Sequence, residues 1–335
     1  MYEFSVVGGK TAREIISASR QDIVDVVRDT YLAHHAGDSV NPDSYFLRFP
    51  EKPDARIIAL PAHLGGDADV SGIKWISSFP ANIERGIPRA SAALLLNDYE
   101  TGYPFACLEA SQISAARTAA SAVLAAEQLT GGRTAGRMTV VGAGIIARNI
   151  LEFFRARDWE VGRVTVHDKS EEYGSALAAH ATDALGYPAG TESDLTAALT
   201  GADLVVLATT AAEPYITDPG ALAPGQVVLN ISLRDIGPEL IEGAYNVLDD
   251  VEHCMKANTS PHLAEQKYGD RHFVTGTLAQ VVRGEVAVGD DKPVVFSPFG
   301  LGVLDLAVGL HVFRAARAAG DAVEIADFFG ETSRW

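Results

Sequence analysis

The chain has 335 residues, 47% hydrophobic and 21% charged, enough for one or two globular domains and unlike a disordered or coiled-coil sequence. Its net charge of −17 argues against a general nucleic-acid binder, because an acidic surface repels phosphate backbones. Two cysteines, Cys107 and Cys254, lie too far apart for a CxxC pair, so no disulfide framework or zinc cage is expected and both read as buried thiols of a reducing compartment. No uninterrupted apolar run reaches the ~18 residues of a membrane span. Residues 1–15 carry Glu3, Lys10, Arg13 and Glu14 in place of the apolar centre of a secretory signal, so a cytoplasmic location is expected.

In chain order, Ile23, Val26, Val27 and Leu32 predict a helix over 22–34. Short β-like runs follow at 56–61, 72–76, 92–97 and 104–108, separated by turn residues such as Gly65-Gly66. Successive strands without intervening helices imply an antiparallel or mixed sheet. Residues 109–129 then read as a long alanine-rich helix ended by Gly131-Gly132. Beyond it the chain alternates. Strands are predicted at 138–141, 163–167, 204–208, 227–231, 246–248 and 294–296, and helices at 145–157, 171–185, 194–199 and 301–319. This pattern predicts an α/β fold: a Rossmann doubly wound parallel sheet over 116–304, plus an α+β domain built from 1–115 and 305–335.

The strongest chemical signal is Gly142-Ala143-Gly144-Ile145-Ile146-Ala147, a G-x-G-x-x-A turn between an apolar strand and an amphipathic helix. Gly142 permits the turn, Gly144 lets a pyrophosphate approach, and Ala147 lets the helix lie close to the strand. The backbone of Ala143, Ile145 and Ile146 then presents N–H groups and the positive end of the helix dipole to phosphates. Asp168, ending the next strand, suits the ribose hydroxyls and would repel a 2′-phosphate, so NAD is expected rather than NADP. Thr209, Thr210, Ser232 and Ser297 also follow strand ends, where ligands of open α/β sheets bind, and are candidate cofactor contacts.

Four further residues stand out. Lys74 lies between Ile73 and Trp75 and faces opposite to them, toward solvent or into a cleft. Arg117 sits among Ala115, Ala116, Ala119 and Ala120, with room to grip a carboxylate, or it makes a structural ion pair, for which Glu109 is the candidate partner. Asp235 follows a strand end and is positioned to move a proton or hold an amine. His63 is either a structural histidine or a catalyst. No nucleophile elbow, HExxH or P-loop is present, and no metal is expected.

Ser71-Gly72-Ile73-Lys74, Arg117-Thr118-Ala119-Ala120, Gly142-Ala143-Gly144, the 230–235 turn and the 297–302 loop together resemble the ornithine cyclodeaminase/mu-crystallin family over nearly the whole chain. The resemblance implies that Lys74 and Arg117 hold a substrate α-carboxylate, that Thr118 touches the cofactor phosphates, and that Asp235 handles the amine or a water. It also implies that the first domain and last helix bind substrate and form a homodimer. One branch fits more closely, that of dehydrogenases cleaving a glutamate conjugate on the way to 2,3-diaminopropionate. It is matched by the 56–66 segment with Arg56 and His63, by Arg89-Ala90-Ser91, and by Asn230-Ile231-Ser232. That likeness implies an amino-acid conjugate as substrate, with Arg48, Arg56, His63 and Ser91 as further substrate contacts beside Lys74. Cyclodeaminases usually carry an aspartate before the loop here occupied by Ser297-Pro298-Phe299-Gly300, and a lysine where this chain has Ile236-Gly237-Pro238-Glu239. A cyclodeaminase, an imine reductase and a non-catalytic crystallin-like binder are the alternatives.

Overall fold

The computed structural model describes residues 3–331. The chain divides into two compact units, Met1–Arg117 with Leu301–Trp335, and Thr118–Gly300. The first division falls inside the helix Ser111–Thr130.

The first unit is built on an eight-stranded sheet. Its path runs Val323–Glu324, Ser5–Val7, Pro104–Glu109, Ala90–Asp98, Val70–Ser78, Lys52–Leu64 and Ser39–Val40, and Tyr45–Phe49 also pairs with Lys52–Leu64. The pairing is antiparallel except between Ser5–Val7 and Pro104–Glu109. Lys52–Leu64 is longer than predicted and contains Pro61. On the outer side the proline falls between two partners, Tyr45 pairing with Ala59 and Val40 with His63, so no residue there requires its missing N–H; on the other side it pairs with Ile73. Tyr45–Phe49 was not foreseen, since its run of apolar residues with one arginine shows no alternation.

Register divides the sheet into two faces. Arg48 pairs with Arg56, Arg56 with Ser78, Leu60 with Lys74, and Lys74 with Leu94, so these side chains share one face. The helix Gly302–Ala319 covers it, and Gly309 makes the close approach possible: a Cβ there would lie 2.1 Å from Leu94 Cδ2. The opposite face carries exposed Tyr45, Leu47, Trp75 and Leu95.

The second unit holds an eight-stranded sheet. Its order is Ala189–Thr191, Glu160–His167, Thr134–Val141, Leu204–Leu207, Val227–Asn230, Val294–Ser297, Tyr245–Leu248 and Val274–Thr277, all parallel. The central strands are Val- and Leu-rich and buried throughout, as a sheet with helices on both faces requires. The predicted elements are present with ends displaced by up to a few residues. Val274–Thr277 was missed because Gly276 and two threonines dilute its apolar signal. Cys254 is buried, whereas Cys107 is only partly so.

Candidate active site

The first cluster lies within the Met1–Arg117 and Leu301–Trp335 unit. Lys74, near the middle of its strand, is 1% exposed, and its Nζ lies 2.6 Å from Asp305 Oδ2 and 3.2 Å from Ser114 Oγ. Arg117 Nε donates to Asp305 Oδ1 at 3.3 Å. Asp305 is 0% exposed and stands in the first turn of Gly302–Ala319. One carboxylate thus faces two cations in a buried place. Burial pulls the Lys74 ammonium down to about 8; Asp305 opposes that shift and Arg117 reinforces it.

This arrangement decides between the readings of Lys74, which is not solvent-facing. It also removes Glu109 as the expected partner of Arg117. Glu109 ends its strand and accepts from the backbone N–H of Ser111 at 2.8 Å, steadying the start of the helix that carries Arg117. Sequence reading missed Asp305, although an aspartate amid Val303, Leu304 and Leu306 was a visible signal.

Arg48 and Arg56 share the Lys74 face, but His63 and Ser91 do not. His63 pairs with Ser71 and Ser91 with Ser77, both one residue out of phase with Lys74. His63 Nδ1 lies 3.1 Å from Ser71 Oγ and its ring stacks on Tyr99, while Ser91 and Ser77 hydroxyls are 2.8 Å apart. The reason for both misplacements is that β-strand parity assigns faces, and parity across strands is set by register.

The second cluster lies within Thr118–Gly300. Gly142 has φ +94°, and a Cβ there would come within 2.6 Å of the Ala208 carbonyl oxygen, so only glycine fits. Gly144 is the N-cap of Ile145–Ala156 and offers no side chain to satisfy the helix's first N–H groups. Open space surrounds its Cα, Ile145 is exposed, and Ala147 is buried against the sheet. These features fit a dinucleotide pyrophosphate. Asp168 Oδ2 accepts from Ala143 N–H at 2.7 Å and Oδ1 from Ser170 N–H at 2.8 Å, which locks the carboxylate beside the glycine turn. Gly142→Ala is expected to destabilise the fold by about 1–3 kcal/mol and to weaken NAD binding, as thermal denaturation and NAD titration would show.

Asp235, 0% exposed, is surrounded by hydroxyls. Thr209 Oγ1 lies 2.8 and 3.0 Å from its two oxygens, Ser232 Oγ 2.6 Å from Oδ2, and Tyr215 OH 3.1 Å from Oδ2. Burial pushes the carboxyl up, and the three hydroxyl donors restrain the rise. Thr209 and Ser232, expected as cofactor contacts, are therefore engaged with Asp235, while Thr210 stays exposed beside them. Ser297 is buried, with its hydroxyl accepting from Asn230 Nδ2 at 3.1 Å, so it does not present that hydroxyl to a ligand. Thr118 is partly buried. Tyr215 and Asp249 were missed. Asp249 accepts from Phe299 N–H at 2.9 Å and Gly300 N–H at 2.7 Å and so holds the loop after the strand Val294–Ser297.

The fold and this edge of the parallel sheet place the chain among dinucleotide-dependent oxidoreductases of Rossmann type. More particularly, the chain belongs to the ornithine cyclodeaminase/mu-crystallin family, whose family model matches residues 11–320. It is 31% identical to N-((2S)-2-amino-2-carboxyethyl)-L-glutamate dehydrogenase of Staphylococcus aureus, over 91% of this chain and 96% of that one. Among solved structures, Δ1-pyrroline-2-carboxylate reductase of Thermococcus litoralis, in complex with NADH and L-proline, superposes with a TM-score of 0.87 at 22% identity, covering 96% of this chain and 99% of that one. An archaeal alanine dehydrogenase dimer with bound NAD gives 0.86 at 24%, covering 98% and 100%. Among the described residues no helix is long and apolar enough to cross a membrane.

Proposed function

We propose that the protein is an NAD-dependent dehydrogenase that cleaves N-((2S)-2-amino-2-carboxyethyl)-L-glutamate to 2-oxoglutarate and L-2,3-diaminopropionate. The observation that carries the reading is the pair of cations, Lys74 and Arg117, gathered on Asp305, an arrangement that suits an amino-acid carboxylate. The 31% identity to the staphylococcal dehydrogenase supports the particular substrate.

NAD would be held by the backbone N–H groups at the start of the helix Ile145–Ala156, the Ala143 N–H being engaged by Asp168, and by Asp168 on its ribose, and when bound it supplies the hydride acceptor. Lys74 and Arg117 clamp the carboxylate next to the reacting carbon and so orient its C–H bond. Loss of the hydride leaves the substrate as an imine. Asp235 accepts a proton from the attacking water and returns it to the amine nitrogen as the carbinolamine collapses. Its burial raises its basicity toward neutral pH, and the Thr209, Ser232 and Tyr215 hydroxyls fix its oxygens. The net reaction consumes one water and releases one proton.

The clamp requires a charged Lys74. Since burial brings that ammonium down to about 8, kcat/KM is expected to fall as pH rises through about 8, mainly through KM. Initial rates across pH 6.5–10 check this. The protein is proposed to be a homodimer formed through the exposed apolar face bearing Tyr45, Leu47, Trp75 and Leu95, as the alanine dehydrogenase relative is a dimer.

The test is NADH absorbance with the purified protein and NAD, comparing the glutamate conjugate with L-ornithine and identifying products by mass. NADH with 2-oxoglutarate and diaminopropionate is expected. Proline and ammonia from ornithine without net NADH would make the protein a cyclodeaminase.

A further inference from the structure

Asp235 lies two residues beyond Leu233, whose φ is +77°. A residue with a Cβ is crowded by its own backbone in that left-handed region, and the conformation persists only where neighbours impose it. Six described residues other than glycine have positive φ, and three of them are Leu233, Ala257 and Asn258. Ala257 and Asn258, each at +54°, lie in the loop between the helices Val251–Cys254 and Ser260–Tyr268. The strain is thus concentrated in two loops, and these two loops are bonded to each other.

The bonds run in both directions. The Arg234 guanidinium donates twice to the Ala257 carbonyl oxygen, from Nε at 3.1 Å and from Nη2 at 2.6 Å. The Ser260 N–H donates to the Leu233 carbonyl oxygen at 2.7 Å. The second loop is itself rooted in the helix Ser260–Tyr268. The Asn258 N–H donates to His262 Nδ1 at 3.1 Å, and Gln266 Nε2 donates to Asn258 Oδ1 at 3.1 Å. Leu233 is therefore pinned through its own carbonyl and through the residue that follows it.

The pinned turn sets the relation of Ser232 to Asp235. The Ser232 hydroxyl donates to Asp235 Oδ2 at 2.6 Å, reaching across Leu233 and Arg234. Both ends of the turn are tied elsewhere: the Ser232 N–H donates to the Leu207 carbonyl at 3.0 Å, and the Asp235 carbonyl accepts from the Ile216 N–H at 2.9 Å. Rotation of Leu233 into the right-handed or extended region redirects the chain between those ends and draws the hydroxyl off the carboxylate.

We propose that Arg234 is a positioning residue for Asp235: by gripping the Ala257 carbonyl it holds Leu233 left-handed and so keeps the Ser232 hydroxyl on the carboxylate that moves the proton. The consequence for catalysis rests on the reading of Asp235 as proton acceptor in the dehydrogenase, whereas the brace itself rests on bonds and dihedral angles alone. Arginine suits the task because its rigid fork aims two donors in a fixed direction.

The test measures kcat, KM and the pH profile of Arg234→Met, Leu233→Gly and the double variant with NAD and the glutamate conjugate. Arg234→Met should lower kcat by about 10–100-fold with KM and NAD affinity unchanged, as a displaced catalytic group does. The acid limb of kcat should move to higher pH, because the carboxylate loses a donor that favours its charged form. The other groups facing Asp235 are the Thr209 hydroxyl and the Tyr215 phenol, and burial together with Asp235 itself pushes that phenol up, so it stays protonated. In the Arg234→Met chain, Leu233→Gly should restore most of the lost rate, since glycine keeps a left-handed turn without a brace. Leu233→Asn, another residue tolerant of that region, should do the same. Arg234→Lys should retain more of the rate than Arg234→Met. An unchanged kcat and acid limb in Arg234→Met overturns the proposal, as does a lowered kcat that neither substitution at 233 restores.

Urea denaturation of the wild type, the two single variants and the double variant reads the brace without any substrate. Leu233→Gly should be less favourable to the midpoint in the Arg234→Met chain than in the wild type, because there the leucine has already left the strained conformation. Additive midpoints overturn the brace. Non-additive midpoints without turnover of the conjugate keep the brace and reject the dehydrogenase reading alone.

Discussion

Asp235→Asn is expected to lower kcat by about 10²–10⁴-fold while NAD still binds, because the substitution keeps the shape of the side chain and removes only its capacity to accept a proton. Asp235 is fully buried and its two oxygens receive the hydroxyls of Thr209, Ser232 and Tyr215. An amide can still accept at its oxygen, so the hydroxyl shell has a partner and the turn stays in place. Steady-state release of 2-oxoglutarate and NAD fluorescence titration separate the two effects. Parallel loss of rate and of NAD affinity would assign Asp235 a structural role instead.

Asp305→Asn is expected to cost about 3–5 kcal/mol of stability, since it removes the charge of the buried carboxylate that Lys74 and Arg117 share. Lys74→Met leaves Asp305 with Arg117 as partner and should cost less. Combining the two should cost less than their sum by about 0.5–3 kcal/mol, because the side chains share one contact. Urea denaturation of the four proteins measures this cycle, and strict additivity would refute the coupling. The pH dependence has a definite sign. The Lys74 ammonium titrates near 8 in the folded chain, below its ordinary 10.5. Between those values the unfolded chain binds the extra proton, so this residue makes stability rise with pH. Lys74→Met should remove that rise. Activity moves in the opposite direction over the same window, since the clamp needs the charge, and this opposition distinguishes Lys74 from a group that merely supports the fold.

Much of the dinucleotide unit was legible because its signals are local. The glycine turn, the apolar strand before it, the helix after it and Asp168 all lie within one stretch of chain, and each is specified by backbone conformation and burial over a few residues. Lys74, Arg117 and Asp235 were also singled out, but their partners were not. Glu109 was the sequence neighbour available to Arg117, and it turned out to serve its own helix's backbone. Thr209 and Ser232 were placed near the correct sheet edge, yet their hydroxyls turn to Asp235. Ser297 lies at that edge as well, but is buried beneath it.

By itself the sequence determined which stretches become strands and helices, the dinucleotide turn, the family and the residues at which chemistry concentrates, because these depend on short-range periodicity and on backbone constraints at single glycines. The tertiary structure alone decided which of those residues meet. Lys74 and Asp305 are 231 residues apart, and Arg117 and Asp305 are 188 apart. They are joined because the last helix lies across the sheet where Gly309 allows close contact with Leu94. The same sheet register sends His63 and Ser91 to one face and Arg48, Arg56 and Lys74 to the other. Alternation along a strand is written in its own residues, but which of two faces a neighbouring strand shares depends on a pairing that only the folded chain fixes.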